Sequence, residues 1–267
     1  HPPRLKEWEE MVNRIRNSHE EIRIGLAGKY NELDDAYLSV LEAIKHAAWS
    51  IDRKPVIEWL NSEAYEQDAS KLKELDEYDG VLVPGGFGSR GIEGKMAAIN
   101  YVREHKIPYF GICYGMQCAV IEFARSVLGL ADAHTTEIAP KTKNPVIHLM
   151  NDQAKKLKGT GIGGTLRLGS YPCALAEGSI SHRSYRSDST DERHRHRYEF
   201  NNDYRQRLVE AGLIIAGTSP DNRLVEIIEV ANHPFFVGVQ FHPEFQSRPL
   251  RPHPLFVSFV KAASKDR

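Results

Sequence analysis

The chain has 267 residues and a mass of 30.2 kDa, enough for one large α/β domain or two small ones with a sizeable core. Hydrophobic residues make up 41% and charged residues 27%, which excludes wholesale disorder; 35 Lys and Arg against 36 Asp and Glu leave a net charge of −1. So neutral a chain lacks the field that captures nucleic acid or an anionic membrane, and no apolar run reaches the roughly 18 residues of a membrane span.

In chain order, Leu5, Trp8, Val12 and Ile15 recur at spacings of three and four, so the first twenty residues predict an amphipathic helix. Its apolar stripe needs a neighbour, either this domain or another one. The opening His1-Pro2-Pro3-Arg4 has neither an initiator Met nor a signal-peptide core, and reads as the edge of a longer chain. From residue 21 onward short β-rich runs alternate with helical periods. Strands are expected at 22–27, 54–59, 80–84 and 107–112, and helices at about 35–49, 91–105 and 116–128. This rhythm predicts a flavodoxin-like or Rossmann-like α/β fold, with a mostly parallel sheet and helices on both faces. Residues 140–191 break the rhythm: Gly-rich at 159–169, then Ser/Arg-rich, they read as an irregular insertion with a mobile surface loop at 179–189. Strands at 213–218, 225–230 and 235–241 and a helix at 254–263 complete one domain.

The chemistry concentrates at Gly111-Ile112-Cys113-Tyr114-Gly115, where an apolar strand runs into an apolar helix. This is the spacing of a nucleophile elbow, G-x-S-x-G, with Cys in the Ser position. The sharp turn strains the nucleophile's backbone, and side chains two residues to either side would collide with neighbouring elements. It also sets the sulfur at a helix N-terminus, where the dipole favours thiolate, and lets the Tyr114 N–H face a developing oxyanion. Cys118, on the following helix, reads as core. Three cysteines, counting Cys173, form no disulfide framework and match no zinc spacing, so the expected compartment is reducing and cytoplasmic.

A thiolate needs a base. His242 follows an apolar strand, at the strand end where open α/β sheets build sites. In an extended segment His242 and Glu244 share a side, so the carboxylate can hold the imidazole by its other nitrogen. The turn Val83-Pro84-Gly85-Gly86-Phe87-Gly88 offers backbone amides as a second oxyanion donor.

Pro84-Gly85-Gly86, Gly111 through Gln117 and Gln240-Phe241-His242-Pro243-Glu244 together resemble the class I (triad) glutamine amidotransferases. Within them, Gly28-Lys29-Tyr30, Ala119 through Arg125, Gly163 through Gly169, Glu192 through Tyr198 and Glu226 through Glu229 look like the glutaminase domain of the CTP synthase family. The likeness runs from about residue 21 to the C-terminus. It implies residues 1–20 as an interdomain linker helix, 21–267 as the glutaminase domain, and an N-terminal amidoligase domain that this sequence lacks. It implies a Cys113, His242 and Glu244 triad and a glutamine site at Gly86, Tyr114, Gly115, Met116, Gln117, Glu137 and Arg197. A carboxylate and a guanidinium, Glu137 and Arg197, suit a substrate with an α-ammonium and an α-carboxylate, and the sequence leaves open which contacts which. The activity implied is hydrolysis of L-glutamine to supply ammonia for ATP-dependent amination of UTP to CTP. No cofactor or metal is expected in this domain; ATP, Mg²⁺ and allosteric GTP belong to the full-length enzyme, expected to be a homo-oligomer. Partners are L-glutamine and the amidoligase domain, with no nucleic acid and no membrane. Arg167, in the Gly-rich stretch, is a candidate for sensing GTP or closing a lid; a plain surface strand residue is the alternative. The family usually has Leu where this chain has Tyr114, a change that keeps the backbone N–H and alters the packing.

Two other classes fit less of the pattern: a γ-glutamyl hydrolase or peptidase on the same scaffold, and a non-catalytic docking module. Gly25-Leu26-Ala27-Gly28-Lys29 is no phosphate loop, because its glycine spacing is short and Tyr30 stands where Ser or Thr would hold Mg²⁺. His194 and His196 alternate with Arg193, Arg195 and Arg197, and such cationic neighbours oppose a bound metal ion.

Overall fold

The computed structural model describes residues 5–28, 37–149 and 166–264. Its strands are, in chain order, β1 (Glu21–Leu26), β2 (Lys54–Trp59), β3 (Gly80–Val83), β4 (Tyr109–Ile112), β5 (Ala133–Thr135), β6 (Asn144–Leu149), β7 (Arg167–Leu175), β8 (Ser189–His196), β9 (Tyr198–Phe200), β10 (Leu213–Thr218), β11 (Val225–Val230) and β12 (Phe236–Val239). Nine of them form one sheet in the order β2-β1-β3-β4-β12-β11-β10-β7-β8; β5, β6 and β9 form a second, small one. From β2 to β12 every neighbour is parallel, and from β12 to β8 every neighbour is antiparallel. The expected parallel sheet is thus the first half of a mixed one.

The parallel half follows from composition. Strands such as Gly80–Val83 and Tyr109–Ile112 are apolar and buried along their whole length, the signature of strands covered on both faces. One face carries α3 (Ser62–Gln67), α4 (Ile92–Glu104) and α5 (Tyr114–Ser126), packed through Tyr65, Met96, Ile99, Val120 and Phe123. The other carries α2 (Leu38–Ser50) and the last helix, Pro254–Ala263, packed through Val40, Ile44, Phe256 and Phe259. The start expected for α2 at residue 35, with Lys29 and Tyr30, lies outside the described residues.

The described parts of the stretch 140–191, residues 140–149 and 166–191, are more ordered than their composition suggests. They contain β6, β7 and the helix Ile180–Tyr185, and run into β8, so 179–189 is not a surface loop. Ser179 caps the helix by accepting from the His182 N–H at 2.9 Å. The buried Glu229 carboxylate accepts the N–H groups of Ile180 and Ser181 at 2.9 and 2.8 Å. That partner lies 48 residues away, which is why local periodicity misses the helix. The Gly-rich core of the stretch, 159–165, lies outside the described residues. α1 (Lys6–Asn17) forms as expected but buries none of its residues; Leu5 and Trp8 remain 51% and 45% exposed. No helix among the described residues is long and apolar enough to cross a membrane.

Candidate active site

Cys113 joins β4 to α5 with φ 50° and ψ −97°, a left-handed backbone that costs a non-glycine residue energy. Its surroundings hold it there: the Cys113 N–H donates to the Val239 carbonyl at 2.6 Å. A Cβ on Gly115 would stand 2.2 Å from the Val83 carbonyl oxygen, and one on Gly111 would stand 2.8 Å from the Gly115 carbonyl carbon. Both glycines are required because α5 descends directly onto β3 and β4. Cys113 holds the N-cap position of a helix whose first turn carries no acidic residue, so the macrodipole acts on its sulfur unopposed.

His242 lies just beyond β12, 9% exposed, its N–H donating to the Arg193 carbonyl of β8 at 2.8 Å. Its Nδ1 meets Glu244 Oε1 at 2.8 Å, and Phe245 stacks on the ring at 5.4 Å. The pair forms, though not along an extended strand. Pro243 starts a 3₁₀ turn, Pro243–Gln246, and Glu244 reaches back from inside it. Burial alone would depress the imidazole; the Cys113 sulfur and the Glu244 carboxylate outweigh it and hold His242 at about 10. A Cβ on Gly85 would stand 2.7 Å from His242 Cε1, so the glycine turn lies against the imidazole edge.

Cys113, His242, Glu244, Gly86, Gln117, Glu137 and Arg197 all line one cleft of ≈ 560 Å³. Arg197 Nε is buried there without a hydrogen-bond partner among the described residues. Tyr114, Gly115 and Met116 do not line it. Met116 is fully buried and packs beside Gly238, while the Tyr114 ring turns toward the 85–88 turn. Arg167 begins β7 and faces inward, 9% exposed, paired with Glu226 at 2.6 Å and lying over the Tyr171 ring. It is neither a surface strand residue nor a side chain extended toward solvent.

Sequence reasoning missed Gln240. Its Nε2 donates to Cys113 Sγ at 3.6 Å, and its Oε1 accepts from Gln117 Nε2 at 3.3 Å. Gln117 Nε2 also donates to the Tyr198 carbonyl at 3.1 Å, which fixes both amides so that an N–H group meets the sulfur. Gln240 and His242 are two residues apart at one strand end, and that alternation was the available signal. Reasoning also missed that Glu226 joins His194 and His196, their ligand atoms within 4.8 Å of one another. The arginines expected to oppose a metal, Arg193 and Arg195, point to the exposed face of β8. The cation that meets this cluster is the Arg167 guanidinium. Burial, with Arg167 adding to it, pushes His194 down to about 2 and His196 to about 3, so both rings are neutral.

A strand-to-helix cysteine, a carboxylate-held histidine and a glycine turn around one cleft define a class. Residues 32–262 match the family described as glutamine amidotransferase class-I, and the chain belongs to that family. Proteins named CTP synthase from Clostridium beijerinckii and Clostridium acetobutylicum are 55% identical over 260 residues and 57% over 257, covering 97% and 96% of this chain. The chain spans about half of their length, 48% and 47%. The solved glutaminase domain of Trypanosoma brucei CTPS, with bound acivicin, is 39% identical with a TM-score of 0.85, covering 92% of this chain and 95% of that one. Within the family, the chain is a glutaminase domain of the CTP synthase kind.

Proposed function

We propose that this domain hydrolyses L-glutamine through a thioester on Cys113. The observation that carries the reading is the convergence of Cys113, the His242–Glu244 pair and the unpaired Arg197 Nε on one cleft. The Cys113 thiolate, with the Gln240 N–H donating to it, attacks the side-chain amide carbon of glutamine. The backbone N–H groups of Tyr114 and Gly86 hold the oxyanion as the carbonyl electrons shift to oxygen. His242 gives its proton to the departing nitrogen, and ammonia leaves. Forming the thioester consumes the thiolate charge that kept His242 protonated. The neutral imidazole then takes a proton from the water that attacks the thioester, releasing glutamate and restoring the Cys113 thiolate beside a protonated His242. Glu244 fixes the ring throughout. Glu137 and Arg197 complement the ammonium and carboxylate of a free amino acid, which favours glutamine over γ-glutamyl peptides.

In the whole enzyme the ammonia aminates a phosphorylated UTP to give CTP, in an amidoligase domain using ATP and Mg²⁺ with GTP as activator. Residues 1–20 form the linker to that domain. The test is ammonia release from glutamine and from a γ-glutamyl dipeptide panel, with Cys113→Ala beside the natural chain. The expected outcome is release from free glutamine only, falling about 10⁴-fold or more in Cys113→Ala while the circular dichroism is retained. Turnover of the dipeptides, or an active Cys113→Ala, overturns the reading.

A further inference from the structure

Tyr114 stands between the two backbone segments that would meet a reacting carbonyl, the elbow at Cys113 and the glycine turn at 85–88. Its side chain is 5% exposed, and its Oη donates to the Gly88 carbonyl at 2.6 Å. The Gly88 N–H in turn donates to Glu137 Oε1 at 3.3 Å. A Cβ on Gly86 would stand 3.7 Å from Tyr114 Cδ1, so the ring also lies alongside the residue proposed to supply the second oxyanion donor. The turn needs such a tether: it holds glycines at 85, 86 and 88, with Gly88 at φ 80°, and glycine backbones have the most freedom to lose. Burial, reinforced by Cys118 and Glu137, keeps the phenol protonated far above the working range, so it is always a donor.

We infer that the Tyr114 hydroxyl is a positioning group that latches the 85–88 turn to the elbow and, through Gly88, sets the Glu137 carboxylate at the cleft. A leucine at this position, as the family resemblance leads one to expect, has no donor and cannot make the latch. Its catalytic consequence rests on the glutaminase reading; the latch itself does not.

The experiment uses Tyr114→Phe, which keeps the ring and drops the hydroxyl, and Tyr114→Leu, which drops both, in the intact protein. Amide exchange at Gly88, followed by NMR, reads how firmly the latched turn holds the Gly88 N–H on Glu137. It should accelerate about tenfold in Tyr114→Phe, as expected for losing one buried hydrogen bond. In the same variant kcat/KM for glutamine should fall about tenfold, mostly through KM, because Glu137 is displaced. Alkylation of Cys113 by iodoacetamide, a small neutral reagent that needs neither the turn nor Glu137, should stay within about twofold of the natural chain. Tyr114→Leu should show the same kinetic loss with a lower melting temperature. Unchanged Gly88 exchange in Tyr114→Phe overturns the inference, and so does an equal loss of alkylation and turnover, which would mean a distorted elbow. A natural chain that exchanges as expected but releases no ammonia sinks the glutaminase reading and leaves the latch standing.

Discussion

The two halves of the large sheet are filled by different chemistry. Around β3, β4 and β12 the interior is Val81, Val83, Phe110, Ile112, Val237 and Val239, all at or near zero exposure. Around β7, β8 and β11 the interior holds Arg167, Glu226, His194, His196, Glu192 and Glu229, each nearly as inaccessible. The proposed nucleophile stands on the apolar half, seated by steric fit: two glycines and a backbone hydrogen bond leave Cys113 one conformation. The proposed base, His242, leans on the polar half through the Arg193 carbonyl and on its own turn through the Glu244 carboxylate. A steric seat does not depend on pH. A seat built of hydrogen bonds and charge does.

The largest effect that sharpens this contrast is on the base. His242→Ala removes the proposed proton carrier and should lower glutamine turnover about 10³–10⁴-fold. Glu244→Gln keeps an acceptor beside Nδ1 and disturbs only orientation and charge, so about 10²-fold is expected. Steady-state kcat measured on both variants decides. If Glu244→Gln is the more damaging change, the carboxylate does more than hold the ring, and the division into a steric and a polar seat fails.

The same division explains what the sequence made legible. Apolar strands, helical periods and the Gly-Ile-Cys-Tyr-Gly elbow are local patterns, and they lead to the parallel half and to Cys113. His242 and Glu244 were legible as neighbours, but the turn that joins them depends on Pro243. In the polar half β10 and β11 were legible as apolar runs, but β7, β8 and the buried charges were not, because their order is set by partners far apart in sequence. Arg167 finds Glu226 59 residues on, and Ile180 finds Glu229 49 residues on. Gln240 was in plain view inside a recognised motif. Only the position of Gln117, across 123 residues, orients its amide toward the sulfur.

A middle-sized effect tests the polar half by itself. Removing the charge in Glu226→Gln leaves the Arg167 guanidinium buried without its counter-ion, a loss of about 3–5 kcal/mol. Acid should do related damage. Folded His194 and His196 stay neutral down to about 2 and 3, whereas the unfolded chain takes up both protons below about 6.5. The unfolded state therefore binds more protons across that window. The contribution of these two rings to stability is full above about pH 6.5 and falls as pH drops, by up to about 1.4 kcal/mol per unit for each ring. Urea titrations from pH 7 to pH 4 should give a shallower slope for His194→Gln than for the natural chain. Amide exchange at pH 4 should release β8 before β4. Equal slopes, or β4 opening first, would break the contrast between the halves.

The smallest effect concerns α1, a helix outside both halves of the sheet. α1 buries no residue and is tied down by contacts that count for little in water. Arg14 Nη1 donates to the Ser50 carbonyl at 3.2 Å, and the Arg14–Asp52 pair, at 3.7 Å, is exposed on both sides. Exposed pairs of this kind contribute about 0–1 kcal/mol. Trp8 keeps 45% of its surface in water, so cutting it back to Ser removes little area that folding had covered. Trp8→Ser should therefore change unfolding stability by no more than about 0.5 kcal/mol in a urea titration. Glutamine turnover should stay at its natural level, since nothing in the helix reaches the cleft. A loss above about 1 kcal/mol would mean that the Leu5, Trp8 and Val12 stripe packs on this domain in solution. The core would then extend past both halves of the sheet.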